Sequence, residues 1–210
     1  MGMYTEVKKE MLSFLEGQFS PKEFYRSRQI FYRKVPIGKQ MLHISFLKEK
    51  DEINIVVDVD IRHDELENLF STLEKIPHNT LSASIGTELG KLSHENTIMW
   101  AVNDISNVPS IGIEIISRVS DVGWSFFEEY SSLEKIFDVL MDDKEIGQTL
   151  CSIPHVRAKK ALTAAFLLQR RDFYNNIIES KTKFLESISN PYLSEFLEFA
   201  FRLKNRFTKA

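Results

Sequence analysis

The sequence is short of the residues that build covalent or metal-pinned scaffolds. Its 210 residues contain one cysteine, Cys151. That count excludes an internal disulfide framework and a cysteine-based zinc cluster. The eight glycines make no G-x-G-x-x-G turn and no P-loop, so no phosphate cradle of those types is encoded. The five histidines are dispersed, and none belongs to an H-E-x-x-H pair. No apolar run approaches the roughly 18 residues that a membrane span needs. Met1 to Glu10 is charged and lacks the apolar core of a signal peptide. What is present is ordinary for a globular chain: 43% hydrophobic and 27% charged residues, over a length that can bury a real core. These features predict a chain of the reducing cytoplasm with no membrane contact and no cofactor.

Charge is divided unevenly. Residues 1–150 carry 16 Lys and Arg against 25 Asp and Glu, a net of -9. Residues 151–210 carry 11 against 5, a net of +6. Such a split points either to an acidic partner for the tail or to attraction between the halves of one fold.

Periodicity supplies the architecture. Val7, Met11, Phe14 and Leu15 predict a helix over 5–16 that stops at Gly17. Gln29 to Val35 reads as a strand. Leu42, Ile44 and Phe46, then Ile55, Val57, Val59 and Ile61, alternate as a hairpin with one buried face. Asp64-Glu65-Leu66-Glu67 is a capping box before Leu66, Leu69, Phe70 and Leu73. Two further strands fall at Thr80–Ile85 and Thr97–Val102. Beyond Pro109 the period is helical, with a cap at Gly123 and a second box at Ser131-Ser132-Leu133-Glu134. The expected fold is α+β: a mostly antiparallel sheet of about five strands packed by helices, then a C-terminal helical segment. The expected domains are 1–145 and a three-helix appendage, 146–210, packed on the first part.

The chemistry-bearing candidates are few. Asp58 and Asp60 lie two apart on a strand and share a face, and with His63 they form a possible divalent-metal set for phosphoryl transfer or nuclease chemistry. A Glu-x-Lys pair on a neighbouring strand is missing, and the simpler reading puts both aspartates on a wet face. No catalytic residue is expected. Arg26, Arg28 and Arg33 interleave with Tyr25, Phe31 and Tyr32. Such a patch suits internal ion pairs, a protein interface or single-stranded nucleic acid. The acidic body around it argues against a polyanion. Phe196, Phe199 and Phe207 belong to a last helix that is apolar on more than one face, which predicts burial or a partner surface. Trp100 is a further binding candidate. The basic end of that helix is an alternative nucleic-acid contact. Another protein is the expected partner, with self-association a second possibility.

Phe31-Tyr32-Arg33, the hairpin around His43–Phe46 and Ile53–Val59, and Trp100 form a pattern with Gly123-Trp124-Ser125-Phe126-Phe127-Glu128-Glu129-Tyr130-Ser131-Ser132-Leu133. Together they resemble small bacterial proteins of the domain-of-unknown-function class, over about Phe14 to Met141. The resemblance implies an α+β domain with no established activity. It also implies a stand-alone accessory protein, of a kind that in some families serves immunity or defence.

Overall fold

The computed structural model describes residues 2–50, 52–93 and 97–207; His94 and the side chain of Phe207 lie outside the described residues. In chain order the elements begin with α1 (Met3–Phe19), β1 (Tyr25–Ser27), β2 (Ile30–Val35), β3 (Gly38–Lys48) and β4 (Ile53–His63). Next come α2 (Asp64–Glu74), β5 (Ile85–Glu88), α3 (Leu89–Leu92), β6 (Trp100–Val102), α4 (Val108–Arg118) and α5 (Trp124–Glu129). The rest is helical: α6 (Leu133–Met141), α7 (Glu145–Leu150), α8 (Pro154–Leu167), α9 (Tyr174–Ser187) and α10 (Leu193–Phe207).

The chain forms two compact units, each assembled from separated stretches. One is Met1–Ile61 with Thr87–Glu129, and the other is Arg62–Gly86 with Tyr130–Ala210. This corrects the expected boundary at residue 145. The α2 and α6 stripes, read from sequence as part of the first domain, pack against α8 and so belong with the C-terminal helices.

The first unit is α+β. Its sheet runs β1-β2-β3-β4-β5, with β6 paired to β4. The pairs β1–β2, β2–β3 and β4–β6 are antiparallel. Alternation works as expected: Leu42, Ile44, Ile55, Val57, Val59 and Ile61 are fully buried on one face. Helix α1 lays Val7, Met11 and Leu15 into the core, and Phe19 meets the Phe31 ring at 5.4 Å. Gly17 does not end that helix. A glycine costs a helix only about 1 kcal/mol, and the packing of Phe19 carries it one more half-turn. Gly123 does not cap α4 either. The chain continues through a π-helical turn, Val119–Gly123, into α5. The expected strand at Thr80–Ile85 begins only at Ile85, and the one at Thr97–Val102 only at Trp100.

The second unit is helical, with α8 against α2, α6, α9 and α10. Being surrounded explains why α8 has so weak an apolar stripe. Ala158, Ala161, Leu162, Ala164 and Ala165 are buried, and so are Arg157, Lys159 and Lys160. The cap of α6 is Ser132, one residue past the Ser131 that the S-x-x-E box implies, and it accepts the Lys135 N–H at 3.3 Å. At α2 the cap is His63 rather than Asp64: its Nδ1 accepts the Leu66 N–H at 3.3 Å.

Candidate functional site

The three arginines of the first unit meet different fates. Arg26 pairs with Glu16 at 2.8 Å, as an internal ion pair would. Arg33 donates instead to the Gln40 amide oxygen at 2.7 Å, and its guanidinium lies 5.3 Å from the Phe24 ring centre and 5.0 Å from that of Trp124. Lys22 lies 5.0 Å from the same Trp124 ring. Arg28 is exposed in the β1–β2 turn at φ 57°, the left-handed region. Trp100 faces inward opposite Ile55 and is buried, so it serves the core and offers no surface.

Asp58 and Asp60 share a half-buried face of β4. Burial pushes the Asp58 carboxyl up and Glu88 adds to the rise, while His43 and Lys91 oppose it. His63 sits at the head of α2. Burial pushes its imidazole down against the pull of Glu65 and Asp64, and a neutral ring is what an Nδ1 acceptor requires. The three residues do not gather: among the described residues no group of three His, Cys, Asp or Glu side chains is placed to hold a metal ion.

The sequence reading missed the buried polar network of the second unit. Lys181, fully buried, donates to the carbonyls of Leu140 and Met141 at 2.9 Å each and to Asp143 at 2.8 Å. Its ammonium therefore closes the C-terminus of α6, where carbonyls lack intrahelical partners. Arg157 does the same for α7, donating to Cys151 O at 2.6 Å and to Gly147 O at 3.3 Å. Lys160 pairs with Glu67 at 2.8 Å and donates to Ala83 O at 2.6 Å. Lys159 pairs with Glu74 at 2.7 Å. Cys151 lies among these cations, yet burial pushes its thiol up, away from the reactive thiolate. The network fixes helix ends, a structural task.

The last helix divides its apolar residues between two faces. Phe196, Phe199 and Leu203 are fully buried, and Phe199 meets Phe70 with ring centres 6.0 Å apart. They are core, which corrects the expectation that Phe196 and Phe199 line a partner surface. The outward stripe is instead Leu193, half-buried, with Leu197 and Phe201, which are 42% and 67% exposed. Lys204 and Arg206 are exposed beyond it.

Fold and site together define an α+β unit and a helical unit, the second held by a network of buried cations and carboxylates. No family model, no curated protein and no solved structure matches the chain. No described helix is long and apolar enough to cross a membrane.

Proposed function

We propose that this chain is a non-enzymatic protein of the bacterial cytoplasm that binds another protein, in its narrowest form as an immunity or defence accessory. One observation carries the reading: Leu193, Leu197 and Phe201 recur every four residues along α10 and turn away from the face buried by Phe196, Phe199 and Leu203. Side chains at that spacing form one stripe. Covering it gains roughly 25 cal/mol per Å² of apolar surface removed from water. Lys204 and Arg206 beside it favour an acidic rim on the partner. The immunity or defence role extends from the sequence resemblance alone.

Co-purification from the native cell tests this with the wild type, Leu197→Glu and Phe201→Glu, all three first compared by thermal melting. Supporting the reading would be a protein recovered in stoichiometric amount with the wild type and lost with both folded variants. Identical recovery with all three would contradict it, as would a stable dimer of this chain occupying the same face.

A further inference from the structure

Residues 22–39 hold six Lys and Arg and one Glu, within a unit whose overall charge is acidic. The strand register sorts these charges. Tyr25 pairs with Tyr32, and Tyr32 with Met41; two residues along, Lys34 pairs with Lys39. Strand alternation places Tyr32 and Lys34 on one sheet face, opposite the face that buries Phe31. The Tyr25 and Tyr32 rings are 6.2 Å apart, and Tyr25 is 61% exposed. The Lys39 ammonium lies 5.7 Å from the centre of the Tyr32 ring. At the other end of β2, the turn holds Arg28 in a left-handed conformation that favours glycine or asparagine, and leaves it exposed. The face thus carries a ring pair and a cation pair, with the exposed Arg28 in the turn that ends the hairpin, over roughly 20 Å from Arg28 to Lys34.

We propose that this face binds single-stranded nucleic acid, with bases stacked on Tyr25 and Tyr32 and phosphates met by Arg28, Lys34 and Lys39. Rings bracketed by cations suit a chain that alternates flat bases with anions. An acidic peptide would use the cations and leave the rings without a task. The expectation against a polyanion rested on the charge of the whole acidic body. The register sets Lys34 and Lys39 beside the tyrosine rings and leaves Arg26 and Arg33 on the opposite face.

Fluorescence anisotropy with the full chain and labelled 12-nucleotide oligo-U and oligo-dT tests the proposal at about 50 and 200 mM salt. Binding should weaken with salt at a log–log slope near -2, about -0.7 for each of three phosphates. Tyr25→Ala should weaken it about tenfold or more with the slope unchanged, since a stacked base rather than a charge is lost. Tyr25→Phe should bind as the wild type does. The pair Lys34→Glu and Lys39→Glu should flatten the slope. Thermal melts confirm that the exposed-site variants are folded. The proposal is overturned by no binding at the lower salt, by unchanged binding in Tyr25→Ala, or by a duplex of equal length binding as tightly. Displacement by polyglutamate at equal charge would overturn it too, making the face an acidic-peptide surface.

Discussion

The ammonium of Lys181 lies 2.8 Å from the carboxylate of Asp143, and the same carboxylate oxygen lies 3.3 Å from Arg157. One anion thus serves two fully buried cations, each of which also closes a helix end. Removing Asp143 leaves both cations buried with no carboxylate between them. Asp143→Asn should cost about 3–5 kcal/mol, the range for breaking a buried pair from one side. Lys181→Met should also destabilise, because the Leu140 and Met141 carbonyls lose their donor. In urea unfolding the double variant should lose less than the two single losses combined. An Asp143→Asn loss below about 1 kcal/mol would mean that the carboxylate is not what holds the two cations.

Asp58 carries the opposite sign. Burial raises its folded-state pKa above the unfolded value, so the unfolded chain ionises first as pH rises. Its charge therefore weakens the fold above the ordinary carboxylate range, about pH 4, and costs nothing well below it. Asp58→Asn should raise the melting temperature at pH 7, with the gain vanishing as pH falls through that range. A lower melting temperature at pH 7 would show that the charge is held by a stabilising partner.

A Cβ added at Gly112 would run into the Phe14 ring, where α1 and α4 pack. Gly112→Ala should destabilise by about 1–3 kcal/mol, the cost of overpacking. Combining it with Phe14→Leu should recover part of that loss. Equal stability of Gly112→Ala and wild type would mean that the two helices can move apart freely.

Phe199 and Phe201 lie two residues apart with opposite roles. Phe199→Ala should cost about 3–5 kcal/mol by leaving a core cavity beside Phe70. Phe201→Ala should stay within about 0.5 kcal/mol, as exposed substitutions do. Chemical denaturation ranks the two, and the reverse order would put the helix in the wrong rotation.

Legibility in the sequence followed the range of the interactions. The β3–β4 hairpin was readable because Ile55 to Ile61 alternate without interruption, and α6 because Leu133, Ile136, Phe137, Leu140 and Met141 recur at helical spacing, although its cap falls at Ser132 and not Ser131. Strand β1 was not, since three residues carry no period, and its pairing with β2 comes through the tight turn at Arg28. The π-helical turn hid behind Gly123, which looks like a stop. The division into two units was illegible because α2 joins partners far along the chain. On α10 both faces are apolar, so pattern alone could not choose Phe196 and Phe199 for the core and Leu197 and Phe201 for the surface. The buried cations left no local trace. Lys181 finds the end of α6 some forty positions away, and on paper it is one more lysine on a helix. The arginine–tyrosine segment was visible as a patch, but only register separates Arg26, paired to Glu16, from the lysines beside the tyrosine rings.

The central claim is that the outward face of α10 meets another protein, and site-specific photo-crosslinking in the native cell tests it most directly. A photoreactive phenylalanine analogue at position 201 should yield one discrete adduct with a different protein. The same analogue at position 199, turned into the core, should yield none with that protein. No adduct from position 201, or an adduct only with a second copy of this chain, would contradict the account.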